Sequence, residues 1–232
     1  MLWYNFSMSV RPISFSVGEY YHIYSRGIEK RKIFLDESDK NRFVKLLFVS
    51  NSDSAVVLKL FQGKALEEIP RGDQIVSLGA WCLMSNHFHL LIKETRPNGI
   101  SEYLHRILTG YAMFFNKKYN RQGALFQGKF GAKHLDTDEY LKYQYAYIHL
   151  NPIGLIDSGW KLKHISNKVY AQKFIDNYRY SSYQDYTGLK REESILIDKE
   201  SFPKYFEKSN DFDVLLKEWM SFSGDVEGVC KI

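Results

Sequence analysis

His87 and His89 stand one residue apart in the stretch Trp81-Cys82-Leu83-Met84-Ser85-Asn86-His87-Phe88-His89-Leu90-Leu91-Ile92. On a β-strand, residues two apart project to the same face. Both imidazoles would then leave one side while Phe88, Leu90 and Ile92 enter a core on the other. Two neutral imidazoles on a rigid strand form half of a divalent-metal site. A second source of chemistry is the segment Thr-Asp-Glu-Tyr-Leu-Lys-Tyr-Gln-Tyr-Ala-Tyr-Ile-His-Leu-Asn at 137–151. Thr137 reads as a helix N-cap, Asp138 and Glu139 fill the first turn, and Pro152 stops the helix. Tyr140, Tyr143 or Gln144, Tyr147 and Asn151 then share one face. A tyrosine stripe is commonly the edge of an amphipathic core; the other reading is phenol chemistry. A phenol, with a pKa of about 10, is a weak nucleophile at neutral pH unless a cation activates it or its target. Tyrosine with a metal suits cleavage of a phosphodiester strand through a phosphotyrosine, which keeps the bond energy for rejoining. Hydrolysis by an activated water would need an acid or base, and the sequence places no carboxylate pair for it.

Several elements must position these groups. Residues 20–25, Tyr-Tyr-His-Ile-Tyr-Ser, read as a first strand, broken by Arg26-Gly27 before the basic run Glu29-Lys30-Arg31-Lys32. Asp36-Glu37-Ser38-Asp39 is an acidic helix start, followed by the apolar stripe Phe43, Leu46, Leu47 and Val49. Residues 56–61 alternate and read as a second strand, 75–84 as a third, and 87–93 as the next, with Ser85-Asn86 as a tight turn or bulge. After Pro97-Asn98-Gly99, the residues Ile100, Leu104, Ile107, Leu108, Tyr111, Phe114 and Phe115 recur at helical spacing. Strand-helix-strand-strand-helix is the order of a ferredoxin-like or RNA-recognition-motif-like sandwich, an α+β fold with helices on one face of an antiparallel sheet. The other face stays free and would carry His87 and His89. His22, on the first strand, can approach that face, and its plain reading is a structural histidine.

The chain has 232 residues, 44% hydrophobic and 25% charged, an ordinary globular composition. Its net charge is +5, but residues 190–232 carry −3, which leaves +8 on the first 189. The predicted division is a catalytic domain at 1–189 and a C-terminal helical extension at 190–232, where Phe202, Tyr205, Phe206, Leu215, Leu216, Trp219 and Met220 suffice for one or two helices. Cys82 and Cys230 do not make a disulfide framework. No stretch reaches the 18 or so apolar residues of a membrane span, and Met1-Leu2-Trp3-Tyr4-Asn5-Phe6-Ser7 lacks a signal peptide's basic start, so a cytoplasmic location is expected. Residues 117–133 hold five basic residues, no acidic one and three glycines, with Tyr119, Phe126 and Phe130 interleaved. Such a segment can neutralise phosphates and stack on unpaired bases. Alternatively it is a solvated basic loop with a small aromatic core of its own.

Five stretches occur in order across residues 20–188: Tyr21-His22-Ile23-Tyr24-Ser25-Arg26-Gly27, Met84-Ser85-Asn86-His87-Phe88-His89-Leu90-Leu91, Leu125-Phe126-Gln127-Gly128-Lys129-Phe130, Tyr147-Ile148-His149-Leu150-Asn151-Pro152 and Tyr180-Ser181-Ser182-Tyr183. In order and spacing they resemble the single-tyrosine HUH transposases, in particular the branch associated with repetitive extragenic palindromes. The resemblance implies a ferredoxin-like fold, His87 and His89 as metal ligands and Tyr147 as nucleophile. The tyrosine would attack single-stranded DNA beside an imperfect hairpin, leaving a 5′-phosphotyrosine and a free 3′-hydroxyl. Four residues beyond it, many relatives have glutamine; here Asn151 is either the third ligand or a helix C-cap. This donor set accepts magnesium or manganese, with manganese the better match to imidazole. By the same resemblance residues 125–130 help hold the DNA. Phosphate contacts fall to Lys117, Lys118, Arg121 and Lys129, with Arg26 and Lys30 as further candidates. Tyr143 and Tyr145 are fallback nucleophiles, of which only Tyr143 shares the face of Tyr147. The expected partner is single-stranded DNA with a hairpin or palindromic repeat, bound by a monomer or homodimer. Two other functions fit the same residues: a nucleic-acid-binding module that no longer cleaves, and a water-using metal phosphodiesterase to which Tyr147 would not matter.

Overall fold

The computed structural model describes residues 13–160, 165–206 and 211–221. The N-terminal segment, His164 and Cys230 lie outside the described residues. Strand β1 (Tyr20–Arg26) is followed by helix α1 (Glu37–Val49). At its start the Asp36 carboxylate accepts the Asp39 backbone N–H, and the Asp39 carboxylate in turn accepts the Asp36 N–H, a capping box. Strands β2 (Val76–Leu83) and β3 (His87–Glu94) form a hairpin closed by Met84 N–H on His87 O at 2.8 Å, so Ser85-Asn86 is a tight turn. Helix α2 (Gly99–Lys118) begins where the Glu94 carboxylate accepts the Ile100 N–H at 2.7 Å. Strand β4 (Gly131–His134) leads to helix α3 (Asp138–Leu150), whose cap is Thr137, as its sequence predicts. Helices α4 (Lys168–Asp176), α5 (Tyr183–Tyr186) and α6 (Asp211–Ser221) follow among the described residues.

The four strands form one antiparallel sheet in the order β2-β3-β1-β4. This is the α+β, ferredoxin-like arrangement expected from the element order. On one face α1 and α2 bury Phe43, Leu47, Leu104, Ile107 and Tyr111 against Ile23, Phe88, Leu90 and Ile92. The second face is not left free. There α3 lies over β2 and β3, and Leu141, Tyr145 and Ile148 join Phe202, Phe212 and Leu216 in a second core against Ala80, Cys82 and Leu91. A register shift between Leu78 and Ala80 sets this up, because it returns Trp81 and Leu83 to the first core while Ala80 and Cys82 face the second. Gly79, at the shift, lets the Phe202 ring close on the strand; a Cβ there would lie 2.6 Å from Phe202 Cζ.

The strand expected at 56–61 is a 3-10 turn, Leu58–Phe61, with Val57 and Leu60 exposed. A strand needs a free sheet edge, and the outer edge of β2 is occupied: Leu83 N–H bonds Tyr180 O, Ser182 N–H bonds Trp81 O, and Asp198 N–H bonds Leu78 O. Beyond Leu150 the chain winds on as a 3-10 turn, Asn151–Leu155, with Pro152 in its first turn. Among the described residues no helix is long and apolar enough to cross a membrane.

Candidate active site

Strand pairing gathers the site. In the β1–β3 register Tyr24 lies opposite His89 and Arg26 opposite His87, so His22, Tyr24 and Arg26 share the face of the two imidazoles. The His87 and His89 rings are 4.9 Å apart at 89°. His87 Nδ1 is 2.6 Å from Asn86 Oδ1, and His89 Nδ1 is 2.8 Å from His22 Nε2. A ligating histidine holds its ring by bonding the other nitrogen to a neighbour, and on both rings that arrangement would present Nε2 to a cation. Two imidazoles thus fit a divalent cation. Among the described residues no group of three or more His, Cys, Asp or Glu is placed to hold a metal, so an oxygen from an amide or water would complete such a set.

Helix α3 brings the phenol. The Tyr147 ring stands 5.5 Å from His89 at 84° and 5.8 Å from His22 at 74°, and it is half-buried at the edge of the second core. Tyr143 is buried between Tyr147 and Trp219. Tyr145 is buried in the second core, which pushes its phenol pKa well up. Tyr24 adds a second phenol to the site, its pKa raised by burial and by the nearby Tyr147, with Arg26 pulling it back. Its ring lies across β4 at Gly131, where a Cβ would be 2.4 Å from Tyr24 Cζ.

Residues 16–151 match the family described as IS200-like transposases. The chain belongs to that family. The transposase is also similar to a solved structure of a REP-associated tyrosine transposase bound to a REP hairpin, at 14% identity and a TM-score of 0.48, over 80% of this chain and 90% of that one. No curated protein matches the chain.

Within the transposase the sequence-predicted residues divide. His87, His89, Tyr147 and Arg26 converge. Asn151, 2% exposed, donates its Nδ2–H to Tyr147 O at 2.7 Å, a cap on α3 that leaves any ligand role to Oδ1. Lys30 is exposed beside the β2–β3 turn, tied to it by Asn86 Nδ2–H on Lys30 O at 3.1 Å. Lys117 and Lys129 are exposed.

Two of the predicted phosphate contacts already have partners within the chain. Lys118 Nζ donates to Asp36, Ser38 and the fully buried Asp39, so its charge serves the start of α1. Arg121 folds onto Asn116 Oδ1 and Ala124 O and braces its own loop. The interleaved aromatics are also internal. Tyr119 bonds Asp39 at 2.8 Å, Phe126 is buried in the first core, and Phe130 stacks on Phe15. Residues 125–127 run beside β1, through Ile28 N–H on Leu125 O and Gln127 N–H on Arg26 O.

Sequence reasoning passed over Tyr24, Asn86 and Lys133, the last paired with His22 across β1 and β4. The period-two series His22, Tyr24, Arg26 carried the signal, but only the strand register turns it toward His89.

Proposed function

We propose that this transposase cuts and rejoins single-stranded DNA beside a hairpin or palindromic repeat through a 5′-phosphotyrosine on Tyr147. The observation that carries the reading is the Tyr147 ring packed edge-on against His89, with His87 on the same strand face. His87 and His89, with Asn151 Oδ1, would hold manganese or magnesium, which when bound polarises the scissile phosphate and steadies the attacking phenolate. Tyr147 forms the new bond to phosphorus as the bond to the 3′-oxygen breaks. The phenol proton passes to solvent and the departing 3′-oxygen takes one up. Rejoining is the reverse attack by a 3′-hydroxyl. Arg26, Lys30, Lys117 and Lys129 supply phosphate contacts, and Lys133 joins them from the site face. Of the segment beyond residue 189, the described residues 190–206 and 211–221 extend the catalytic unit by packing Phe202, Phe212 and Leu216 beneath α3.

Incubating the protein with Mn2+ and a hairpin-bearing oligonucleotide, followed by a denaturing gel, tests the reading. A protein-linked strand that disappears in Tyr147→Phe is expected. Cleaved DNA with no linked species would indicate a water-using phosphodiesterase, and binding without cleavage would indicate a module that has lost its chemistry.

A further inference from the structure

His22 is 5% exposed, on β1, one of the two central strands of the sheet, between β3 and β4. Its Cα pairs with Leu91, two residues from His89 on the same face, which makes His22 and His89 diagonal neighbours within side-chain reach. The rings lie side by side, centroids 5.0 Å apart and planes at 23°, with His22 Nε2 and His89 Nδ1 2.8 Å apart. Only one proton fits between two ring nitrogens. If His22 donates it, neutral His89 carries its remaining proton on Nε2 and cannot ligate through that nitrogen. If His89 donates it, the lone pair of His89 is on Nε2, and His22 carries its own proton on Nδ1. His89 is also 5% exposed, so water competes poorly for Nδ1.

We infer that His22 is a positioning residue: it accepts the Nδ1–H of His89, fixes the tautomer with Nε2 as donor, and holds that ring beside Tyr147. This inference rests on His87 and His89 holding a cation. His22 also packs edge-on to Tyr147 at 5.8 Å, so one imidazole sets the orientation of the ligand ring and walls the nucleophile. Asn86 plays the matching part for His87 through its Oδ1.

The inference separates two substitutions of similar bulk. Glutamine at position 22 can offer an oxygen near where Nε2 lies, whereas leucine can offer none. Calorimetric titration of the full chain with Mn2+ should give His22→Gln an affinity within about threefold of wild type and His22→Leu a loss of about 10- to 100-fold. Equal affinity in all three proteins, or an equal loss in both variants, would overturn the inference. A wild type that binds no Mn2+ would instead remove the reading of His87 and His89 as ligands. Nitrogen NMR of the metal-free wild type needs neither metal nor variant: His89 should be protonated on Nδ1 and His22 should be unprotonated on Nε2. His89 protonated on Nε2 would overturn the inference even if His22→Leu failed to fold.

Discussion

The Tyr147 ring meets the His89 ring edge-on, 5.5 Å between centroids and at 84°. A helix residue and a strand residue thereby share one site, although α3 and β3 are separated by α2 and β4 in the chain. Binding and chemistry should come apart here. Tyr147→Phe keeps both imidazoles and should bind Mn2+ as wild type does while forming no DNA adduct. His89→Ala should lose both, and calorimetry beside an adduct gel reads the difference. An adduct-competent His89→Ala would remove the cation from the account.

Lys118 answers a different question. Its ammonium is 2.7 Å from the fully buried Asp39 carboxylate and equally close to Asp36, whose carboxyl pKa it holds well below the usual range. Removing one partner strands a buried charge, so Lys118→Ala should cost about 1–2 kcal/mol in denaturant melts, less than a wholly buried pair because Lys118 itself is partly exposed. The slope of DNA affinity against salt should stay unchanged. Lys129→Ala should do the opposite, leaving stability alone and flattening that slope by about one unit.

Gly131 is bare because Tyr24 lies over it. Gly131→Ala would place a methyl 2.4 Å from Tyr24 Cζ, so the ring must move away from Tyr147 and His89. The expected result is slower adduct formation with a melting temperature lowered by only a few degrees, since the clash sits on an edge strand at the surface of the site. Removing the ring in Tyr24→Ala/Gly131→Ala should relieve the strain on stability without restoring the rate. Full activity in Gly131→Ala would show that Tyr24 has no part in the site.

His149 reports on pH. It is fully buried, with Nδ1 at Tyr145 O and Nε2 2.6 Å from Ser182 Oγ, and burial, aided by Arg191, lowers its pKa to about 3. In the unfolded chain the same ring titrates at about 6.5. The folded protein therefore binds fewer protons between these values, and its stability falls as pH drops through that window by up to about 1.4 kcal/mol per unit for this one group. Above about 6.5 the contribution is complete. His149→Gln should be less stable at pH 7 yet show a flatter decline toward pH 4.5. Parallel pH profiles of melting temperature would contradict this.

Periodicity made much of the fold legible. His87 and His89 on one face, the Thr137 cap and the α2 stripe are local properties, and local rules predict them. What the sequence hid depends on partners far along the chain. The alternation at 56–61 resembled a strand because the occupants of the β2 edge, residues 180–182 and Asp198, come more than a hundred residues later. Lys118 read as a phosphate contact, because its partners Asp36 and Asp39 lie 82 and 79 residues before it. The second face looked open because its cover, α3 with Phe202, Phe212 and Leu216, is recruited from residues 138–216, far from the strands it packs on. His22 looked structural for the same reason: its bond to His89 spans 67 residues.

The central claim is that Tyr147 makes the bond to DNA. Mass-spectrometric mapping of the adduct formed with a hairpin oligonucleotide and Mn2+, after nuclease trimming and proteolysis, tests it most directly. The account predicts the nucleotide phosphate on Tyr147, with Tyr24, Tyr143 and Tyr145 unmodified. A phosphate on any of those three, or a cleaved strand with no modified tyrosine, would contradict it.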